Sequence, residues 1–148
     1  SLIDYISQMA SNYVQVQQVS SDFESEMQNY LTTTSKYYSI FVAIPRDIIQ
    51  TNRENVNEFS VEIFCHAPIE SDRKNIVNVV SDCALILADL YRDLKDTDNY
   101  TFDLVNDQNI YAENNSRLDF LAGARMRLDF HGTPVTACEV AKISDYVI

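Results

Sequence analysis

The sequence predicts an α+β domain: an antiparallel or mixed sheet with one long helix packed on a face and a short N-terminal helix. Three observations carry that expectation. Ile76, Val80, Cys83, Leu87, Leu90 and Leu94 recur at intervals of four and three, the stripe of a long amphipathic helix. Ala124, Met126, Leu128 and Phe130 alternate with Arg125, Arg127 and Asp129, the period of a half-buried strand. The remaining strand-like segments bunch before and after the long helix.

Taken in order, Leu2, Ile6 and Met9 form a helical stripe, and the helix is expected to run to about Ser11. Tyr13-Val14-Gln15-Val16-Gln17 then alternates, which predicts a strand from Tyr13 to Val19. Residues 20–36 are polar, with Phe23, Met27 and Tyr30 as the expected anchors. The run from Tyr37 to Ile44 is almost continuously apolar and stops at Pro45, as a central strand buried on both faces should. A polar connection fills 46–57. Phe59, Val61, Ile63 and Cys65 alternate with Ser60, Glu62, Phe64 and His66 in a strand ended by Pro68. The long helix is expected over Asp72 to Lys95, with Ser71 as its N-cap. Tyr100 to Val105 reads as a short strand followed by turn chemistry at Asn106-Asp107. Gly123 opens the last alternating strand as a bulge or close backbone approach, and Gly132-Thr133-Pro134 closes it. Residues 135–148 are a tail or an edge strand.

A length of 148 residues suits a single domain spanning 1–148, and 46% hydrophobic and 11% aromatic content supplies a core. Lys and Arg number 11 against 22 Asp and Glu, a net charge of -11. That balance argues against independent nucleic-acid binding and against an anionic membrane surface. No apolar run is long enough to span a bilayer, and the segment Ser1-Leu2-Ile3-Asp4-Tyr5 has no signal-peptide pattern. Cys65, Cys83 and Cys138 are an odd number without a C-x-x-C spacing, which suits buried thiols in a reducing compartment.

The chemistry-bearing residues do not assemble into a known motif. Cys65 and His66 are adjacent in a strand and so point to opposite faces, which prevents a thiolate–imidazolium pair. Two His and three scattered Cys lack metal-ligand spacing. No nucleophile elbow, P-loop, zincin or dinucleotide fingerprint is present. No catalytic residue, metal or cofactor is therefore expected. The distribution of charge is more distinctive. Residues 1–35 and 96–116 carry acids without a base, the second segment holding Asp103, Asp107 and Glu113. Arg125 and Arg127 instead sit together on the outer face of their strand. Opposite patches of this kind suit attraction between like copies, head to tail, in a closed ring.

The segments Phe59–Phe64, Ser71–Asp82 and Ala84–Leu90 resemble the strand–helix core of tailed-bacteriophage tail terminator and tail completion (head–tail joining) proteins. Arg117–Phe130, followed by Cys138, is similar to the closing strand of such virion proteins, and the strand ending at Ile44-Pro45 also fits. The resemblance covers most of residues 1–140 and departs from the family at 46–57 and 106–116. It implies a non-enzymatic virion protein of the tail and neck, made in the cytoplasm of the bacterial host. As a ring, commonly a hexamer, such a protein caps the tail tube and presents a face to the head–neck and connector proteins. On that reading Arg125 and Arg127 lie at the subunit interface. Asp103, Asp107 and Glu113 line the bore, where acids keep passing DNA from sticking. The alternatives are a monomeric protein-binding adaptor or neck protein, and a small enzyme that uses a carboxylate.

Overall fold

In chain order the computed structural model contains α1 (Leu2–Ala10), β1 (Val16–Asp22), a 3-10 helix (Glu24–Asn29), β2 (Tyr38–Ala43) and β3 (Gln50–Thr51). Then come β4 (Asn57–Pro68), α2 (Ile76–Lys95), β5 (Phe102–Leu104), β6 (Ile110–Asn114) and β7 (Leu121–Gly132). The structure describes residues 2–30, 38–44, 50–51, 57–70, 72–96, 102–104, 109–114 and 121–132.

The strands form one mixed sheet of order β1-β2-β4-β7-β5, with β3 paired to β4 and β6 to β7. Only β1 and β2 run parallel; every other described pairing is antiparallel. Its axis is the long β4–β7 ladder, which aligns Glu58 with His131 at one end and Pro68 with Leu121 at the other. Strand alternation sends Val61, Ile63 and Cys65 of β4 and Ala124, Met126 and Leu128 of β7 to one face. There they pack with Cys83, Leu87, Leu90 and Leu94 of α2 and with Ile3, Ile6 and Ala10 of α1 in a single core. The α+β architecture is thus the expected one, with both helices on the same side of the sheet.

Two tyrosines tie α2 to the other elements. The Tyr38 hydroxyl donates to Asp82 Oδ2 at 2.6 Å, and the Tyr13 hydroxyl donates to Asp93 Oδ2. Burial, reinforced by those carboxylates, pushes both phenols above their ordinary pKa. On the opposite face the 3-10 helix lays Met27 over Phe41, Ala43 and Phe64, with Tyr30 alongside. The apolar β2 is buried on both sides for that reason, from Ser39 to Ala43.

Several boundaries differ from expectation for identifiable reasons. The long helix starts at Ile76, not Asp72, because the described residues from Asp72 to Asn75 are held outside the helix by turn hydrogen bonds. Arg73 has φ 61°, and its N–H donates to Glu70 O. Asp72 accepts from the Lys74 N–H, and Asn75 Oδ1 from the Glu70 N–H, so these side chains satisfy the backbone outside a helix. Asn75, not Ser71, occupies the N-cap position; Ser71 lies outside the described residues. β1 runs from Val16 to Asp22, three residues later than expected at both ends, because the chain leaving α1 continues as turns through Tyr13. β4 begins inside the expected polar connection, paired there with β3. The 3-10 helix and β6 were not anticipated. Met27 is buried as an anchor, whereas Phe23 is 54% exposed and is not one. The tail 135–148 and the Asn106-Asp107 turn lie outside the described residues.

Candidate interaction face

The sheet face turned away from α1 and α2 carries the residues that alternate with the core. On β4 these are Ser60, Glu62, Phe64 and His66; on β7 they are Gly123, Arg125, Arg127 and Asp129. Phe41 and Ser39 continue the face on β2, and Tyr111 and Glu113 continue it on β6. The half beneath the 3-10 helix is apolar. The Phe41 ring lies 5.7 Å from that of Tyr30 and 6.5 Å from that of Phe64. The other half is charged and partly open to water.

Register decides how those charges meet. Arg125 stands opposite Tyr111 on one side and Phe64 on the other, and Arg127 stands opposite Glu62. Arg125 Nε is 3.7 Å from Glu113 Oε2, and its guanidinium lies over the Tyr111 ring at 5.7 Å. Arg127 donates through Nε to Asp129 Oδ1 and through Nη2 to Ser60 Oγ, both at 3.0 Å, and the Ser60 hydroxyl in turn donates to Asp129. Burial pushes the Glu113 carboxyl above the usual range; Arg125 opposes the rise, while Glu24 and Glu62 add to it. The face is therefore a patchwork of alternating sign.

Arg125 and Arg127 share one face as expected, and each also has a carboxylate partner within its own chain. Glu113, expected in a separate acidic segment, is brought beside Arg125. The backbone of Asp103 lies in β5 opposite His131, its side chain is outside the described residues, and so is Asp107. The Ser60–Asp129–Arg127 cluster escaped sequence reading because it depends on the β4–β7 register, although all three residues fall on polar positions of alternating strands.

Cys65 and His66 do point to opposite faces. Cys65 is in the core, while His66 is 1% exposed, stacked on Phe64 with ring centroids 6.1 Å apart and planes 9° apart. Neither His66 ring nitrogen has a hydrogen-bond partner among the described residues. Burial alone pushes its pKa down to about 4, so the imidazole is neutral at physiological pH. Beside it on β7, Gly123 is required by close approach: a Cβ there would lie 1.8 Å from the Cys65 carbonyl oxygen. Among the described residues, no helix is long and apolar enough to cross a membrane. No protein-family model matches the chain, and no curated protein is significantly similar to it.

Proposed function

We propose that this chain is a structural virion protein of a tailed bacteriophage, a ring-forming terminator or completion protein that caps the tail tube and meets the head–neck complex. The segments that carry the family resemblance support this reading, because β4, α2 and β7 pack together as the centre of the fold. The observation that carries the assembly is the charged face of β4, β6 and β7. Its ion pairs are partly exposed, with Arg127 at 61% and Arg125 at 43%, so each is weak on its own. A neighbouring copy can exchange such pairs for intersubunit ones at little cost, and guanidinium groups favour bidentate carboxylate partners there. Asp103, Asp107 and Glu113 are the candidates for an acidic lining, and Glu113 also stands 3.7 Å from Arg125 within its own chain. Each of six copies would bring a net charge of -11, which disfavours retention of DNA in transit.

Size-exclusion chromatography with light scattering, followed by electron microscopy of the main peak, tests the reading. The expected result is a closed ring of 17.0 kDa subunits. A monomer at every concentration, alone and with purified tail tubes, would overturn it.

A further inference from the structure

β1 closes one side of the sheet, and β5 and β6 share the other; no further described strand pairs with β1 beyond β2, or with β6 beyond β7. Open strand edges are commonly guarded by lysine or proline, and neither occurs in β1 or β6. In a chain of net charge -11, residues 5–21 hold no charged residue, so another copy meets no like charge along β1 before Asp22. On β6, Tyr111, Ala112 and Asn114 are exposed.

The registers place these two edges level with each other. Ser20 stands opposite Phe41, Phe41 opposite Phe64, Phe64 opposite Arg125, and Arg125 opposite Tyr111. Val19 leads in the same way through Ile40, Cys65 and Ala124 to Ala112. Asp22 stands opposite Ala43, which is one step past the Val42–Ile63 pair and so level with Glu62; Glu62 in turn faces Arg127. Strand sense agrees. β1 runs parallel to β2, and three antiparallel steps lead from β2 to β6, so β1 and β6 run in opposite directions. Rotation about an axis that follows the strands preserves that sense and needs no displacement along the axis.

We propose that β1 of one copy adds to β6 of the next as an antiparallel strand, continuing the sheet across the subunit boundary and bringing Asp22 of one copy to Arg127 of the other. This contact rests on the ring reading and names the surfaces that close the ring. Backbone hydrogen bonds supply its affinity, and the side chains fix its register. At shared levels large meets small: Tyr111, 49% exposed, stands beside Ser20, and Val19 beside Ala112. Asp22 and the neighbour's Arg127 are two strand spacings apart, about 10 Å between Cα atoms, which the two side chains span together. The Asp22 carboxylate is held in place by the Tyr30 hydroxyl and the Phe23 N–H, each donating to it at 2.7 Å. The Arg127 side chain is 61% exposed, and its guanidinium has donors enough for a second carboxylate beside Asp129.

Cross-linking and charge exchange test the contact. Ser20→Cys and Tyr111→Cys are made separately, each in a Cys138→Ser background, and treated with a short bifunctional thiol reagent. Covalent dimers should form when the two variants are mixed and not in either one alone. Independently, Asp22→Arg and Arg127→Glu should each shift the assembled peak towards monomer in light scattering, with the fold kept by circular dichroism, and the two changes in one chain should shift it back. If the cysteine variants do not fold, the charge exchange decides alone. A ring that forms without the mixed cross-link, or a double variant that assembles no better than the singles, would overturn this contact and leave the ring reading standing. Dimers of Ser20→Cys alone would mean a two-fold pairing of β1 with itself and would also overturn it. A chain that stays monomeric at every concentration would overturn both.

Discussion

Acid should weaken this fold through one histidine. His66 keeps its neutral form in the native sheet down to about pH 4, while in the unfolded chain it protonates near its ordinary 6.5. Between those values the unfolded state binds more protons, so stability falls as pH drops from 6.5 towards 4 and is unaffected by this group above that window. A separation of that size corresponds to a loss of about 3 kcal/mol, at roughly 1.4 kcal/mol per pKa unit. Nearby carboxylates also titrate in acid, so the measurement is a difference. Urea unfolding of the unmodified chain and of His66→Phe should be compared from neutral pH down to about 4. Phenylalanine can keep the stack on Phe64 and carries no proton to take up. The stability of His66→Phe should decline less steeply, the two curves separating by about 3 kcal/mol at the acid end. Parallel curves across the whole range would refute the argument, because they would mean that His66 is hydrated or paired in the native state.

Leu87→Ala should cost about 2–5 kcal/mol in equilibrium unfolding, since the side chain is 0% exposed and its loss leaves a cavity between α2 and the sheet. Gly123→Ala should cost about 3 kcal/mol or more, because the added methyl meets the Cys65 carbonyl and only a shift of β7 relieves it; faster amide exchange along β4 and β7 would report this. The double reversal Arg125→Glu with Arg127→Glu should leave a folded subunit by circular dichroism, less stable by about 1 kcal/mol, but should abolish or weaken ring closure in light scattering.

The legible parts of this fold are those written as long periodic signals. The stripe through Leu87 and the alternation through Met126 both predict which side chains enter the core, and the structure puts them in one cluster. Gly123 was legible as either a bulge or a close approach at the start of its strand; the structure shows the close approach, two residues inside β7 and in regular pairing with His66. The 3-10 helix and β6 were not legible, since neither has a period: β6 is held to β7 by backbone pairing, and its side chains alternate poorly between exposed and half-buried. The start of α2 was misplaced because Asp72 and Asn75 compete for backbone hydrogen bonds, an outcome that helix periodicity does not encode. On the charged face, residue types and outward direction were readable. The partnership of Glu113 with Arg125 was not, because it joins strands whose register only tertiary packing sets.

The position of β7 has a consequence for how the protein comes into being on the ribosome. This strand is the last of the described strands to be synthesised, yet it sits between β4 on one side and β5 and β6 on the other. Until it emerges, β4 has an unpaired edge and α2 has only part of the surface it will cover. The nascent chain must therefore hold a long apolar strand without its principal partner while β5 and β6 are being made, and the pairing that ends this wait joins residues far apart in sequence. A chain that stops short of Leu121 would remain in that state, with an open edge available to any other copy nearby.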